Sequence, residues 1–228
     1  MIRVIAFVAL LVIWSMGVAQ DLVITNARII DGVGAAVNQG SVVVEEGRIV
    51  SVVAGELVTE GPRIDADGMT VMPGLIDTHR HLLPSQIITS DLALEQWLND
   101  RLPAELLNYL GSGFTTIMST GDYFPVIMEV RSRIDSGELR GPRLLAVGPN
   151  FSVPDGHPGA SIFARNAWGR ALHTNAVTDP EVARAQVGQL ADAGVDAIKV
   201  IYDGGEQDVW PRLDEAILAE ITTEAERS

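Results

Sequence analysis

Two histidines two positions apart are the first residues of this chain that could do chemistry. His79 and His81 close the stretch 73–81, in which Leu75 and Ile76 after a Pro-Gly pair predict a short buried strand. Side chains two apart on a strand share a face, so the two imidazoles are expected roughly 6.6 Å apart along the backbone. Such a pair is half of a metal site, although a chance pair of surface histidines has the same spacing.

Lys199 is the only lysine among the 228 residues, and it lies in the middle of the apolar run 197–201. A lysine there is costly unless it is neutral or paired. If the chain forms a barrel of parallel strands and the side chain of Lys199 points to its interior, the amine approaches the same axis as His79 and His81. A buried amine loses its proton readily and can react with carbon dioxide to give a carbamate, an anionic ligand able to bridge two ions. The alternative is a pair with Asp203 or an amine that reaches solvent at the strand end.

A long segment, residues 149–177, contains two further histidines, His157 and His173, and Trp168. The sequence predicts a loop here, at the carboxyl end of a strand, which is where barrel enzymes place their active sites. His157 is therefore a candidate substrate-binding residue, and His173 a second one. Packing within the loop or contact with solvent is the alternative for both.

The elements that must position these side chains fall into two groups. Residues 20–72 predict part of a small β-sandwich, a structural platform with short strands at 22–30, 41–45, 48–53 and 69–72. Residues 73–228 predict alternating strands and helices. After the histidine strand these are helices at 91–110 (interrupted by Pro103), 125–134, 180–193 and 213–226, and strands at 114–119, 143–147 and 197–201. The fold class is α/β, and about four strand–helix units predict the N-terminal part of a (β/α)8 TIM-like barrel.

Composition excludes several classes of partner and chemistry. Asp and Glu number 30 against 16 Lys and Arg, a net charge of −14, so nucleic acid is not expected as a partner. The chain has no cysteine, which excludes disulfides, cysteine metal ligands and a thiol nucleophile.

The first nineteen residues differ in kind from the rest. Arg3, an apolar run over residues 4–14 and small residues up to Ala19 predict a secretory signal peptide, residues 1–19. Export to a periplasm or to the medium, with no membrane anchor after cleavage, is expected. The alternative is an uncleaved membrane anchor.

The stretch 73–81 resembles the first-strand motif of the amidohydrolase superfamily. The β-domain before it and the lysine in residues 197–200 are similar to that family as well, so the resemblance covers about residues 22 to 226. In its overall sequence pattern the chain most resembles the imidazolonepropionases and the prolidase-like dipeptidases.

This resemblance implies roles for particular residues. His79 and His81 would hold one divalent ion, and a carboxylated Lys199 would bridge to a second; Zn²⁺ is expected, with Mn²⁺ or Fe²⁺ as alternatives. The implied reaction is hydrolysis of a C–N bond in a small amide, cyclic amide or dipeptide-like substrate by a metal-activated water. Histidines on the fifth and sixth strands and an aspartate on the eighth strand complete the family's site.

Those later residues have no counterpart here. A full barrel needs on the order of 250 residues, so the chain up to Ser228 is expected to be the N-terminal half of a longer enzyme, with the general-base aspartate beyond it. Open strand edges then predict poor solubility or homo-oligomers. Two other interpretations remain: a non-catalytic metal-binding or interaction remnant, and a metal-dependent isomerase or decarboxylase on the same barrel.

Overall fold

The computed structural model describes residues 22–34, 36–58, 61–205 and 209–228. The chain divides into two compact units, with the boundary between Pro73 and Gly74. The predicted signal peptide, residues 1–19, lies outside the described residues. Within the described ranges, no helix has both the length and the apolar composition needed to cross a membrane.

The described part of the first unit is built from five strands. They are β1 (Leu22–Ile30), β2 (Ala36–Glu45), β3 (Arg48–Ala54), β4 (Arg63–Asp65) and β5 (Thr70–Val71). The sheet order is β3-β2-β1-β4, antiparallel from β3 to β1, and β4 and β5 both run parallel to β1. The four predicted strands are confirmed, whereas the short β4 was missed because three residues carry too little periodicity.

The core of this unit lies on one face of the sheet. Strand β1 buries every second side chain, and Ala27, Ile29, Val42 and Ala66 form the buried cluster. On β3, by contrast, Ile49 is 67% exposed. The predicted sandwich requires two facing layers, but the described strands of this unit all belong to a single sheet.

The second unit alternates strands and helices. Its elements are β6 (Leu75–Arg80), α1 (Asp91–Gln96), a π-helical segment (Trp97–Arg101), α2 (Leu102–Gly111), β7 (Phe114–Ser119), α3 (Val126–Asp135), β8 (Arg143–Ala146), β9 (Asn150–Ser152), α4 (Ala167–His173), β10 (Thr174–Ala176), α5 (Pro180–Asp192) and α6 (Glu215–Arg227). Strands β6, β7 and β8 form a parallel sheet in that order, and β9 and β10 form a parallel pair. The α/β class is confirmed.

Local sequence accounts for most of these boundaries. Strand β7 covers the predicted residues, and α3, α5 and α6 match within two residues at each end. Asp179 caps α5, since its Oδ1 accepts a hydrogen bond from the Glu181 amide at 2.8 Å and Pro180 opens the helix. Pro103 lacks an amide hydrogen, and the π-helical segment ends at Arg101, two residues before it. The helix therefore continues with a changed hydrogen-bond register where the sequence predicted an interruption.

Two buried clusters hold the helices against the strands. The first joins α2 and α3 to β7 and β8 through residues that include Leu106, Ile117, Ile127 and Leu144. The second joins α5 and α6 around Phe151 on β9. In α6, Ile217 and Ile221 are buried together with Leu213 just before the helix, as their helical spacing predicted.

Three predictions about this unit are wrong. Residues 149–177 are not one loop, because β9, α4 and β10 lie within them. Residues 197–201 do not form a regular strand: Val200 makes an isolated bridge to Phe151. Strand β6 is not buried, because Leu75 is 43% and Ile76 61% exposed. Strand β6 lies at the edge of the three-stranded sheet, so a neighbouring strand covers it on one side only.

Candidate functional site

A cavity of about 580 Å³ lies in the second unit and contains the predicted site residues on its wall. The side chains that bear on its chemistry are His79, His81, Asn150, His157, His173, Lys199 and Asp203. Strand β6, strand β9, the segment after β9 and the segment that carries the lysine therefore supply one site. His79 and Lys199, 120 positions apart in the sequence, share this wall.

Strand β6 brings the two imidazoles of the motif together. The ring centroids of His79 and His81 lie 5.7 Å apart, with an angle of 63° between the ring planes. The amide of His79 donates to Oδ1 of Asp77 at 3.1 Å, which stabilises the backbone before the motif. Gly74 allows β6 to approach β7, since a Cβ at this position would collide with the side chain of Thr115.

The structure determines which nitrogen of His81 carries the hydrogen. Nδ1 of His81 lies 2.7 Å from the carbonyl oxygen of Gly121. A carbonyl oxygen only accepts, so Nδ1 is the donor and the neutral ring keeps its lone pair on Nε2. This is the tautomer in which a histidine can coordinate an ion through Nε2 while a carbonyl holds the ring in place.

His79 is poised to remain neutral. Burial lowers its pKa, and the positive charge of Lys199 and the ring of His81 lower it further, whereas Asp77 acts in the opposite direction. A neutral imidazole has the free lone pair that a metal ion requires.

Lys199 is half-buried in the wall of the cavity, and its backbone is held by β9. The Phe151 amide donates to the Lys199 carbonyl at 2.9 Å, and the Ile201 amide donates to the Phe151 carbonyl at 2.9 Å. Among the ion pairs formed by the described residues, none joins Lys199 to a carboxylate, and Asp203 instead accepts from the Gly205 amide at 2.7 Å. The alternative of an Asp203 pair is thus not seen in this part of the chain.

His157 lies at the cavity wall with partners of its own. Its Nδ1 is 2.6 Å from the hydroxyl of Ser161, and its ring lies 5.4 Å from the Trp210 ring. The side chain is therefore placed by contacts on both sides rather than left in solvent.

His173 is buried at the end of α4 and borders the same cavity. Its Nδ1 lies 3.1 Å from Nδ2 of Asn150, and its ring centroid is 4.5 Å from Phe163 and 5.9 Å from His81. Burial, reinforced by the neighbouring His81, lowers the pKa of His173 to about 4. The ring is neutral at neutral pH.

The depressed pKa of His173 predicts a loss of stability in mild acid. The unfolded state takes up a proton near pH 6.5 and the folded state only near pH 4, so stability is unaffected above pH 6.5 and falls through this window. The full effect of a shift of this size is about 3 kcal/mol. Urea unfolding of His173→Phe at pH 7.5 and pH 4.5 should show a smaller difference between the two pH values than in the parent protein. If the difference in stability between the two pH values is the same in the variant as in the parent protein, His173 is not the group that causes the loss.

The sequence did not single out Asp122 or Asn150, which are both buried near the site. Asp122 follows the carboxyl end of β7 by three residues, and Asn150 begins β9. The position of Asp122 could have indicated it from the sequence. Polar residues that follow the carboxyl end of a strand in a parallel sheet lie at the end of the sheet where such folds build their active sites. Within the described ranges, no three His, Asp or Glu side chains are grouped to hold a metal ion.

Known proteins resemble this chain over part of their length. No protein-family model matches it. The 5'-deoxyadenosine deaminase of Methanothermobacter thermautotrophicus is 37% identical over 92 residues, which is 38% of this chain and 21% of the deaminase. The chain therefore covers far less than the whole of that relative.

Solved structures match the described fold over nearly the whole chain. A proposed prolidase from Bifidobacterium longum superposes with a TM-score of 0.68 and 30% identity over 92% of this chain and 48% of its own. A Xaa-Pro dipeptidase with bound methionine gives a TM-score of 0.74 and 25% identity over 91% of this chain and 54% of its own. The chain spans about half the length of these structures. In its motif, its fold and these relatives, the chain is similar to the amidohydrolase superfamily.

Proposed function

We propose that the protein carrying this chain is a metal-dependent hydrolase of carbon–nitrogen bonds in small molecules, with an amide, cyclic amide or dipeptide-like group as the substrate. The observation that carries the proposal is that His79, His81 and Lys199 line one cavity. On this proposal, β6, β7 and β8 begin a (β/α)8 barrel, and the sheet of the first unit is part of a β-sandwich completed by further strands. Export, inferred from residues 1–19, belongs to the same proposal.

The histidine pair fits a divalent ion. Zinc–nitrogen bonds of about 2.0–2.1 Å at a tetrahedral angle place the centroids of two imidazole ligands roughly 5 Å apart. The observed 5.7 Å is close to that spacing, so a small side-chain rotation suffices. His81 already has its Nδ1 hydrogen bonded to the Gly121 carbonyl, as a ligand through Nε2 requires.

Lys199 would supply the third ligand from this chain as a carbamate. Its position on the cavity wall and the absence of a carboxylate partner among the described residues leave its amine open to carbon dioxide. Imidazole and oxygen ligands suit Zn²⁺, Mn²⁺ and Fe²⁺, and Zn²⁺ is the first choice. When bound, such an ion lowers the pKa of water and polarises a substrate carbonyl.

The chain's own residues would shape the rest of the site. His157 lies on the wall with its Nδ1 bonded to Ser161, and in this proposal it contacts the substrate. The buried rings of Phe163 and His173 form an apolar side of the cavity, which helps to exclude water from the reacting group.

The relatives support a carbon–nitrogen bond as the target. A deaminase releases ammonia and a dipeptidase cleaves a peptide bond, and both reactions break a carbon–nitrogen bond. The two differ in the rest of the substrate, so the proposal extends to the bond and not to one compound.

The experiment that tests this function combines metal analysis with a substrate panel. The full protein, purified without chelator, should contain one or two divalent ions per chain. It should act on at least one member of the panel, by releasing ammonia from an aminopurine nucleoside, opening the ring of a cyclic amide or releasing an amino acid from a Xaa-Pro dipeptide. Treatment with a chelator should abolish this activity. Metal without hydrolysis would favour a binding module, and an isomerised or decarboxylated product would favour a different enzyme; either result overturns the proposal.

A further inference from the structure

We propose that Asp122 is a positioning residue for His81: its carboxylate holds the backbone immediately after His81, so that the ring keeps Nε2 free for a ligand. The inference rests on the proposed function insofar as His81 is taken as a metal ligand. Asp122 lies after β7 and has no place in the sequence motif, and its contacts alone suggest the role.

The Asp122 carboxylate receives three hydrogen bonds. Oδ2 accepts from the Leu82 amide at 2.7 Å and from the hydroxyl of Ser119 at 2.7 Å. Oδ1 accepts from the Leu83 amide at 3.1 Å. The side chain thus joins the end of β7 to the two residues that directly follow His81.

Neighbouring residues of the same turn continue this connection. The Thr120 amide donates to the Arg80 carbonyl at 3.0 Å, and Nδ1 of His81 donates to the Gly121 carbonyl at 2.7 Å. His81 is therefore held through its ring, through the residue before it and, by Asp122, through the residues after it. Gly121 has a φ of +114°, and a Cβ there would collide with the side chain of Asn150, so this turn requires glycine.

Burial makes these contacts consequential. Asp122 is 0% exposed, and a carboxylate removed from water is retained only where donors satisfy it. Burial raises the pKa of Asp122, while the two amides, the Ser119 hydroxyl and the nearby His81 oppose that rise. Loss of one of the three hydrogen bonds to Asp122 would shift the turn that contains Gly121. The Gly121 carbonyl, which accepts from Nδ1 of His81, would then move away from the ring.

The test replaces Asp122 by asparagine, which keeps the shape of the side chain but turns one acceptor into a donor facing an amide. Two-dimensional ¹⁵N NMR of the metal-free protein at pH 8, with His81 assigned from a His81→Gln variant, reports the tautomer. The parent protein should show the Nδ1–H form, and Asp122→Asn a mixture of both forms. Competition with a chromophoric chelator should show Zn²⁺ affinity lowered about 10- to 100-fold in the variant.

The matched control is Asp196→Asn. Asp196 accepts from the Ala146 amide at 2.8 Å and from Arg131 at 2.8 Å, so it also ties a strand end, but its partners lie outside the cavity wall. This control should leave the His81 tautomer and the Zn²⁺ affinity unchanged. If Asp122→Asn fails to fold, Ser119→Ala removes one of the three hydrogen bonds and should shift both readouts in the same direction by a smaller amount.

The outcomes separate the two proposals. A parent protein that binds no Zn²⁺ refutes the metal-dependent function, whereas the tautomer measurement still tests the role of Asp122. A variant with the parent tautomer and the parent Zn²⁺ affinity refutes the positioning role while the function stands. Equal changes in Asp122→Asn and Asp196→Asn would show a general loss of structure and also refute it.

Discussion

Replacing His79 or His81 by alanine is expected to remove the bound divalent ion and to lower kcat/KM for hydrolysis by at least about 10³-fold. This exceeds the roughly 10- to 100-fold loss that follows when a residue supporting a ligand is changed. The reason is that both rings line the same cavity with centroids 5.7 Å apart, so each would supply its own ligand to the ion. Metal analysis of the purified variants and steady-state kinetics on the active substrate measure the two effects.

Arg80→Ala is the matched control for the histidine variants. Arg80 lies between the two histidines on β6, and its guanidinium lies 5.6 Å from the centre of the Tyr109 ring. This variant perturbs the same strand without removing an imidazole, so it should retain the metal. Full activity in His79→Ala, or loss of metal in Arg80→Ala as well, would contradict the assigned roles.

Replacing Lys199 by arginine is expected to lower kcat by at least about 10²-fold, similar to the loss of one preorganised charged group in an active site. A guanidinium keeps its proton and cannot form a carbamate, although it preserves the charge and the length of the side chain. Lys199→Ala should lose a similar amount but regain part of its activity when formate or acetate is added, because a small carboxylate can occupy the vacated volume.

A direct readout accompanies these variants. ¹³C NMR of the parent protein in ¹³C-bicarbonate should show a carbamate signal that is absent from Lys199→Arg. Full activity of Lys199→Arg would overturn the role of the lysine. Activity that is lost in Lys199→Ala and does not return with any small carboxylate would count against the carbamate.

Local periodicity was sufficient to predict most elements. Strand β1 and strand β7 were predicted at their observed boundaries, because both are short runs rich in residues that favour strands, with turn residues around them. Helix α5 was predicted from the Asp179 cap and Pro180, whose effect depends on neighbouring residues alone.

Elements that depend on distant partners were predicted less well. The segment 197–201 is apolar enough for a strand, but its pairing is a single bridge to Phe151. In residues 149–177, β9 and β10 have three residues each and exist through hydrogen bonds to each other. Three residues are too few to show a hydrophobic periodicity, so these strands can be identified only from the strand with which each one pairs.

The sequence by itself determined the α/β class, the two histidines and the solitary lysine as the candidate ligands. The tertiary structure alone decided that Lys199 and the histidines share one cavity, that Gly121 sets the tautomer of His81 and that Asp122 braces the residues after it. The physical reason is range: strand and helix preferences act between neighbours in the chain, whereas hydrogen bonds and charges act between groups that only folding brings together.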